Sequence, residues 1–131
     1  MSEIAAVFDA SALTAYLEGN VAVGELMLEV ADEGRQVAVP AACLAAAYAS
    51  VADEIDAALL ALMVTAPMIR LLPLDVGDVQ DAGRLARAVD GDISFGHAAR
   101  VALTYEAHYA TVRPAAAAKV LPARWSILDL A

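Results

Sequence analysis

The sequence predicts an α/β fold, a three-layer α/β/α sandwich in which a mainly parallel sheet of about five short strands lies between helices. Short apolar segments alternate along the chain with longer segments whose apolar residues recur every three or four positions. Strands that alternate with helices in this way form parallel sheets covered on both faces. With 131 residues, 61% of them hydrophobic, the chain can fill one core, and residues 1–131 are expected to form a single domain.

The first third of the chain predicts two strands and two helices. Residues 4–9 form an apolar strand, and a short helix over residues 11–18 ends at a Gly-Asn pair. Residues 21–33 have apolar side chains at helical spacing and are followed by Gly34, so a second helix is expected there. Residues 37–39 are a short β-branched segment and predict the second strand.

The middle of the chain predicts a helical hairpin, a strand and two further helices. Proline is favoured in a first helical turn, so a helix is predicted over residues 40–52, and a second one, residues 53–66, ends before Pro67. The pattern then predicts a strand over residues 68–74, a helix over 76–89 capped by Asp75, a turn at 90–92 and a helix over 94–107.

The end of the chain predicts a strand, a helix and a closing strand, at residues 108–112, 114–120 and 125–130. The longest apolar run, residues 57–69, is interrupted by Pro67 and followed by Arg70, so no membrane-spanning helix is expected. The first residues include Glu3 and no basic segment, which argues against a signal peptide and favours a cytoplasmic location. Cys43, the single cysteine, excludes an intramolecular disulfide and is assigned to the core.

The acidic balance limits the classes of partner. The formal net charge of −9 argues against a surface that coats nucleic acid, because phosphate binding needs clustered Lys and Arg. It does not exclude a metal-dependent nuclease, whose site is itself a cluster of carboxylates. It also favours a basic partner or a local basic patch.

Asp9 is the leading candidate for chemistry. It ends the first apolar strand, where an ionised carboxylate needs a metal, a hydrogen-bond donor or a helix N-terminus as its partner. Asp9 can cap the following helix, as can Ser11. Ligands of open α/β sheets bind beyond the carboxyl ends of the strands, so a ligand-binding role is equally open.

Four segments together resemble the PIN domain family, the fold of the toxin component of bacterial VapBC-type toxin–antitoxin systems. The resemblance covers essentially the whole chain, and its carriers, in the family's order, are residues 7–13, 37–45, 92–99 and 108–114. It implies a PIN-like sandwich and a metal-dependent endoribonuclease, in which three or four acidic side chains hold Mg²⁺ or Mn²⁺. It also implies an antitoxin-like protein partner and a homodimer.

The chain departs from the family's acidic pattern. Asp9 matches the first acid, but Ala46 stands near the position of the second and Arg113 at that of the fourth. The third acid lies at the start of the late helix, where Asp92 and His97 are the nearest candidates. Asp9 and Asp92 are therefore the possible metal ligands, and His97 is a third candidate for catalysis.

Each of the later candidates also has an ordinary structural interpretation. Asp92 can be a turn or N-cap residue, and His97 can be a hydrogen-bonded, half-buried side chain. Arg113 suggests a hypothesis: if it lies near Asp9, an ion pair replaces the metal and leaves an inert crevice.

The resemblance, together with the positions at which the chain differs from the family, suggests two functions. The first is a PIN-like protein related to toxin–antitoxin ribonucleases, catalytically weakened or inactive, that acts through protein interaction; the alternative is an active Mg²⁺-dependent endoribonuclease toxin that uses Asp9 and Asp92 on RNA. For the first, the partner is expected on the second to fourth helices. The predicted anchors are Leu26, Met27, Tyr48, Leu59 and Met63.

Overall fold

The computed structural model describes residues 3–131. The five strands of this part are β1 (Ile4–Phe8), β2 (Gln36–Pro40), β3 (Ile69–Leu72), β4 (His108–Thr111) and β5 (Ile127–Asp129). The seven helices are α1 (Ala10–Leu17), α2 (Val21–Asp32), α3 (Ala41–Ser50), α4 (Glu54–Met63), α5 (Val79–Ala86), α6 (Ile93–Tyr105) and α7 (Pro114–Val120). A single 3₁₀ turn, Arg87–Val89, follows α5.

The strands form one sheet in the order β3-β2-β1-β4-β5, and every neighbouring pair is parallel. The predicted α/β fold with a parallel sheet is confirmed. From β1 the chain steps outward to β2 and β3, and it then returns to the other side of β1 to form β4 and β5. Because parallel crossovers are right-handed, this reversal places α1–α4 on one face and α5–α7 on the other.

The core fills both faces of the sheet. All five residues of β1 are buried, as a central strand between two helix layers requires. The sequence prediction for Cys43 is confirmed, since it is fully buried. Met27 and Met63, expected as anchors for a partner, are also core residues, because they lie on the inward faces of α2 and α4. The prediction that Met27 and Met63 are surface anchors is therefore wrong.

The contact between α5 and α6 depends on a glycine. A Cβ atom at Gly96 would overlap the backbone carbonyl oxygen of Ala82 in α5, so a larger residue would push the two helices apart. The backbone of α6 can thus lie close against α5, and this fixes the position of the α6 N-terminus at the carboxyl edge of the sheet.

Side-chain caps mark the N-termini of four of the seven helices, α1, α2, α4 and α6. Asp53 caps α4 by accepting a hydrogen bond from Asp56 N at 2.7 Å, and Asn20 caps α2 through Val23 N at 3.1 Å. The prediction that Asp75 caps a helix over residues 76–89 is wrong. Asp78 N instead donates to the Asp75 carbonyl in a turn, so α5 begins later, and its last turn tightens into the 3₁₀ turn.

None of the helices in residues 3–131 is both long and apolar enough to cross a membrane.

Candidate functional site

The candidate site lies where the direction of the chain through the sheet reverses, between β1 and β4. Phe8 and Ala110 are partners in the register of these two strands, so Asp9 and Thr111 emerge side by side at the carboxyl edge. Ligands of open α/β sheets bind at such a switch point. We call the cluster formed by Asp9, Ser11 and Thr111 at this point the switch-point crevice.

Both carboxylate oxygens of Asp9 accept hydrogen bonds from the protein. Oδ1 accepts from Ser11 Oγ at 2.6 Å and from Ala12 N at 3.0 Å, and Oδ2 accepts from Thr111 Oγ1 at 2.6 Å. Only 1% of Asp9 is exposed. Asp9 is therefore the N-cap of α1 and also a link between β1 and β4.

The two hydroxyl groups extend this link to the backbone. Val112 N donates to Ser11 Oγ at 3.1 Å, and Arg113 N donates to Thr111 Oγ1 at 2.9 Å. These bonds join the segment after β1 to the segment after β4. The crevice is closed by hydrogen bonds that the chain makes with itself.

The hydroxyl protons in this cluster are too few for its short contacts. Ser11 and Thr111 each donate to Asp9, yet their own oxygens also lie only 3.0 Å apart. A proton on the Asp9 carboxyl would supply the third hydrogen bond. Burial raises the pKa of Asp9, although the bonds from Ser11, Thr111 and Ala12 each lower it. Burial therefore increases the affinity of this carboxyl group for a proton relative to an Asp side chain in water.

Two other side chains of the candidate site, Cys43 and Tyr109, are fully buried. Cys43 Sγ donates to the Ser94 carbonyl at 3.2 Å, and burial, followed by the charge of Asp9, raises the pKa of the thiol. The Tyr109 hydroxyl is close enough to Asp9 to influence its pKa, but it makes no hydrogen bond of normal geometry within residues 3–131. Burial also raises the pKa of Tyr109, so both groups stay uncharged at neutral pH.

Asp92 caps α6 at the same edge of the sheet. Its Oδ1 accepts from Ser94 N at 3.0 Å and from Ser94 Oγ at 2.6 Å, which is the N-cap interpretation of this residue. The side chain of Asp92 is exposed. Asp9 and Asp92 are thus the N-caps of two helices, α1 and α6, that begin at the carboxyl edge of the sheet.

His97 lies on another side of α6. Its Nδ1 accepts from Ala42 N at 3.3 Å, and the ring lines a small cavity of about 90 Å³ together with Pro73, Asp75 and Asp78. Burial lowers the pKa of His97, while its bond to the Pro73 backbone and the two aspartates oppose this shift. The charges that act on His97 are thus not those of Asp9 and Asp92, and the structure does not join it to them.

The expected ion pair between Asp9 and Arg113 is absent from the described part of the chain, so that hypothesis is corrected. The Arg113 guanidinium lies over the ring of Phe95, 5.1 Å from its centroid. Phe95 in turn stacks on Tyr109 at 6.5 Å between ring centroids. Asp9 is already satisfied by hydroxyl donors, and the arginine instead covers an aromatic face at the rim of the crevice.

The donor set does not fit a Mg²⁺ or Mn²⁺ centre. In residues 3–131, no three side chains of His, Cys, Asp or Glu converge in a way that could hold a metal ion. Of the two carboxylates, Asp9 is buried and has its oxygens in use, and alanine stands near the position where the family has its second acid. Hard divalent cations need several free oxygen ligands, preferably charged ones.

Thr111 and Tyr109 are the site residues that the sequence did not single out. Like Asp9, Thr111 ends an apolar strand. A polar side chain at this position could therefore have predicted that Thr111 belongs to the site. Tyr109 carries no such signal, because an aromatic residue inside a short strand is ordinary core.

In comparisons with known proteins, no family model matches the chain, and no curated protein matches it.

Proposed function

We propose that this chain is a PIN-like protein related to the toxin–antitoxin ribonucleases which has lost metal-dependent RNA cleavage and acts by binding another protein. A small antitoxin-like protein is the partner class that the resemblance suggests. The observation that carries the proposal is the state of Asp9. The one acid that matches the family pattern is buried and bonded through both oxygens to its own chain.

Three further features support the loss of chemistry. A dication at Asp9 would have to displace the hydroxyl donors that join β1 to β4. Arg113, whose backbone N donates to Thr111 Oγ1, brings a positive charge to the segment after β4, and such a charge disfavours a metal ion nearby. Near the place of the second family acid stands Ala46, which supplies no ligand.

The alternative is an active endoribonuclease in which Asp9 and Asp92 hold Mg²⁺. One observation favours it: the two carboxylates cap α1 and α6 at the same edge of the sheet. Two carboxylates, one of them buried, give a weaker site than the family's three or four.

The test is a ribonuclease assay and a Mn²⁺-binding assay on the purified full chain. We expect no RNA cleavage that depends on Mg²⁺ or Mn²⁺. We also expect no Mn²⁺ ion bound at Asp9, so the electron paramagnetic resonance spectrum of added Mn²⁺ should be the same for the wild type and for Asp9→Asn. A double variant, Ala46→Glu with Arg113→Asp, restores acids near two family positions and is the positive control for binding. Metal-dependent cleavage by the wild type that is lost in both Asp9→Asn and Asp92→Asn would establish the alternative.

A further inference from the structure

The first turn of α3 is capped by a histidine from another helix. The residue before α3 is Pro40, whose side chain has no hydrogen-bond acceptor to offer the free N–H groups of the turn. His97 of α6 supplies the acceptor, because its Nδ1 accepts from Ala42 N at 3.3 Å. Only 1% of His97 is exposed. A buried imidazole thus takes the place of the missing N-cap.

Apolar packing holds α3 only weakly. Its buried residues are Cys43 and Ala47, and both are small, so they remove less apolar surface from water than leucine or isoleucine would. A second polar contact with α6 is the hydrogen bond of 3.2 Å from Cys43 Sγ to the Ser94 carbonyl, and a thiol is a weak donor. The bond to His97 is therefore a substantial part of the attachment of α3.

The α6 side of this contact is fixed. Gly96, the residue before His97, lies so close to Ala82 that a Cβ atom would overlap the Ala82 carbonyl oxygen. The backbone of α6 is therefore packed tightly against α5. If the bond between His97 and Ala42 is lost, the first turn of α3 is the part that is free to move.

Only the neutral form of His97 fits this arrangement. Nδ1 accepts a hydrogen bond, so it carries no proton, and the proton of the neutral ring is on Nε2. The bond between the ring and the backbone of Pro73 uses that proton, because Pro73 has a carbonyl and no N–H. An imidazolium carries a proton on both nitrogens, so its Nδ1 would face the Ala42 N–H as a second donor. The positive end of the α3 dipole disfavours this cation further.

The other titratable groups around the ring come from α3, from the loop before α5 and from α6 itself. They are Cys43, Asp75, Asp78, Arg100 and Tyr105. The carboxylate of Asp78 is paired with Arg100 at 3.1 Å, which neutralises part of its charge. Burial lowers the pKa of His97, although both aspartates oppose this shift. The cavity of about 90 Å³ beside the ring is large enough for a water molecule, so a proton can reach the imidazole.

We propose that His97 is an acid-sensitive latch, whose protonation at Nδ1 breaks the bond to Ala42 N, releases the first turn of α3 and uncovers Cys43. Once released, the imidazole regains its ordinary pKa of 6.5 and binds a proton more tightly than in the closed state. The latch is therefore closed above about pH 6.5, and opening increases as the pH falls from there towards the pKa of the closed state. This inference is independent of both functions considered above, since it needs neither a metal nor a partner.

The test uses Cys43, the single cysteine, as the reporter in the full chain. Its rate of reaction with a pyridyl disulfide, a reagent that remains active in acid, is measured from neutral to acid pH. Each rate is divided by that of the urea-unfolded chain at the same pH, so the titration of the thiol itself cancels. The key variant is His97→Asn, which keeps an acceptor oxygen near the position of Nδ1 and does not titrate. The matched control is His108→Gln, which removes the only other histidine, an exposed one.

We expect the relative rate to rise up to about tenfold per pH unit below about pH 6.5 in the wild type and in His108→Gln, and to change less than about twofold in His97→Asn. A wild-type rate that does not rise in acid, or an equal rise in His97→Asn, overturns the proposal.

Hydrogen–deuterium exchange of the wild type gives a second measurement that needs no variant. On acidification, residues 41–47 should lose protection while α6 keeps it. Simultaneous loss of protection in α3 and α6 would show global unfolding and would also overturn the latch.

Discussion

The switch-point crevice and the exposed apolar face of α4, formed by Ile55, Leu59 and Leu62 and called here the α4 stripe, are opposites in chemistry and in accessibility. The crevice is polar, and its central carboxyl is buried and bonded within the chain. The α4 stripe is apolar and exposed, and it has no covering element among the described residues. Each region thus reverses the usual preference of its side chains for water or for the core.

The difference separates a structural role from an interaction role. A buried polar cluster that satisfies its own hydrogen bonds stabilises the fold and leaves little free to bind a ligand. Covering an apolar helix face that is exposed to water lowers the free energy of the system. The location of Asp9 at a switch point suggests a binding site, but its bonds assign it to the fold.

The largest effect we predict for a residue of the candidate site is on stability, from Asp9→Ala. This substitution leaves Ser11 Oγ, Ala12 N and Thr111 Oγ1 without their acceptor in a closed crevice. Because buried donors that lose their acceptor are costly, we expect the free energy of unfolding to fall by about 2–3 kcal/mol in total. The measurement is unfolding in urea.

Asp92→Ala is the matched control for that measurement. Asp92 accepts the same kinds of bond, from a serine hydroxyl and a backbone N–H, but it is exposed to water. Its loss should cost about 1 kcal/mol, the usual value for a helix cap. Equal losses for the two variants would mean that closure of the crevice adds nothing to stability.

A smaller effect concerns pH, from comparison of the wild type with Asp9→Asn. Burial raises the pKa of Asp9 in the folded chain above its ordinary value of 3.8. The folded state therefore binds this proton more tightly than the unfolded state, and the stability it contributes is fully present below about pH 3.8. That contribution is lost as the pH rises through the folded pKa.

The measured quantity is the difference in unfolding free energy between wild type and Asp9→Asn, followed by urea unfolding from acid to neutral pH. The other carboxyl groups are common to both proteins, so their effects cancel. We expect this difference, wild type minus variant, to fall as the pH rises from the ordinary Asp pKa. A difference that rises with pH would show an ionised, well-stabilised carboxylate in the folded state, and would reopen the case for a metal ligand.

Much of the fold was predictable because its signals are local. Apolar strands, helical spacing and breakers such as Gly34 and Pro67 gave every element its type. The start of α5 was misplaced because Asp75 and Asp78 are both plausible caps, and only the turn between them decides. Strand order was not readable from any local signal, since it depends on packing across the whole sheet.

The site was predictable only in part. The ends of β1 and α6 identified Asp9 and Asp92, because a carboxylate at such a boundary stands out in an apolar sequence. The hypothesis of an ion pair between Arg113 and Asp9 was wrong. The sequence does not reveal that the ring of Phe95 lies beside the Arg113 guanidinium. Met27 and Met63 were mistaken for surface anchors because helical spacing does not tell which apolar face turns inward.

The smallest effect we predict is on the stability of the monomer, from Leu62→Gln. Leu62 and Leu60 belong to the same helix, yet Leu60 is fully buried and Leu62 mostly exposed. Leu62→Gln should change the unfolding free energy by less than about 0.5 kcal/mol, whereas Leu60→Ala should cost about 2–4 kcal/mol. The measurement is urea unfolding at two protein concentrations. A loss for Leu62→Gln that grows with concentration would mean that copies of the chain cover the α4 stripe; no loss at either concentration means that the fold of the single chain does not depend on the Leu62 side chain.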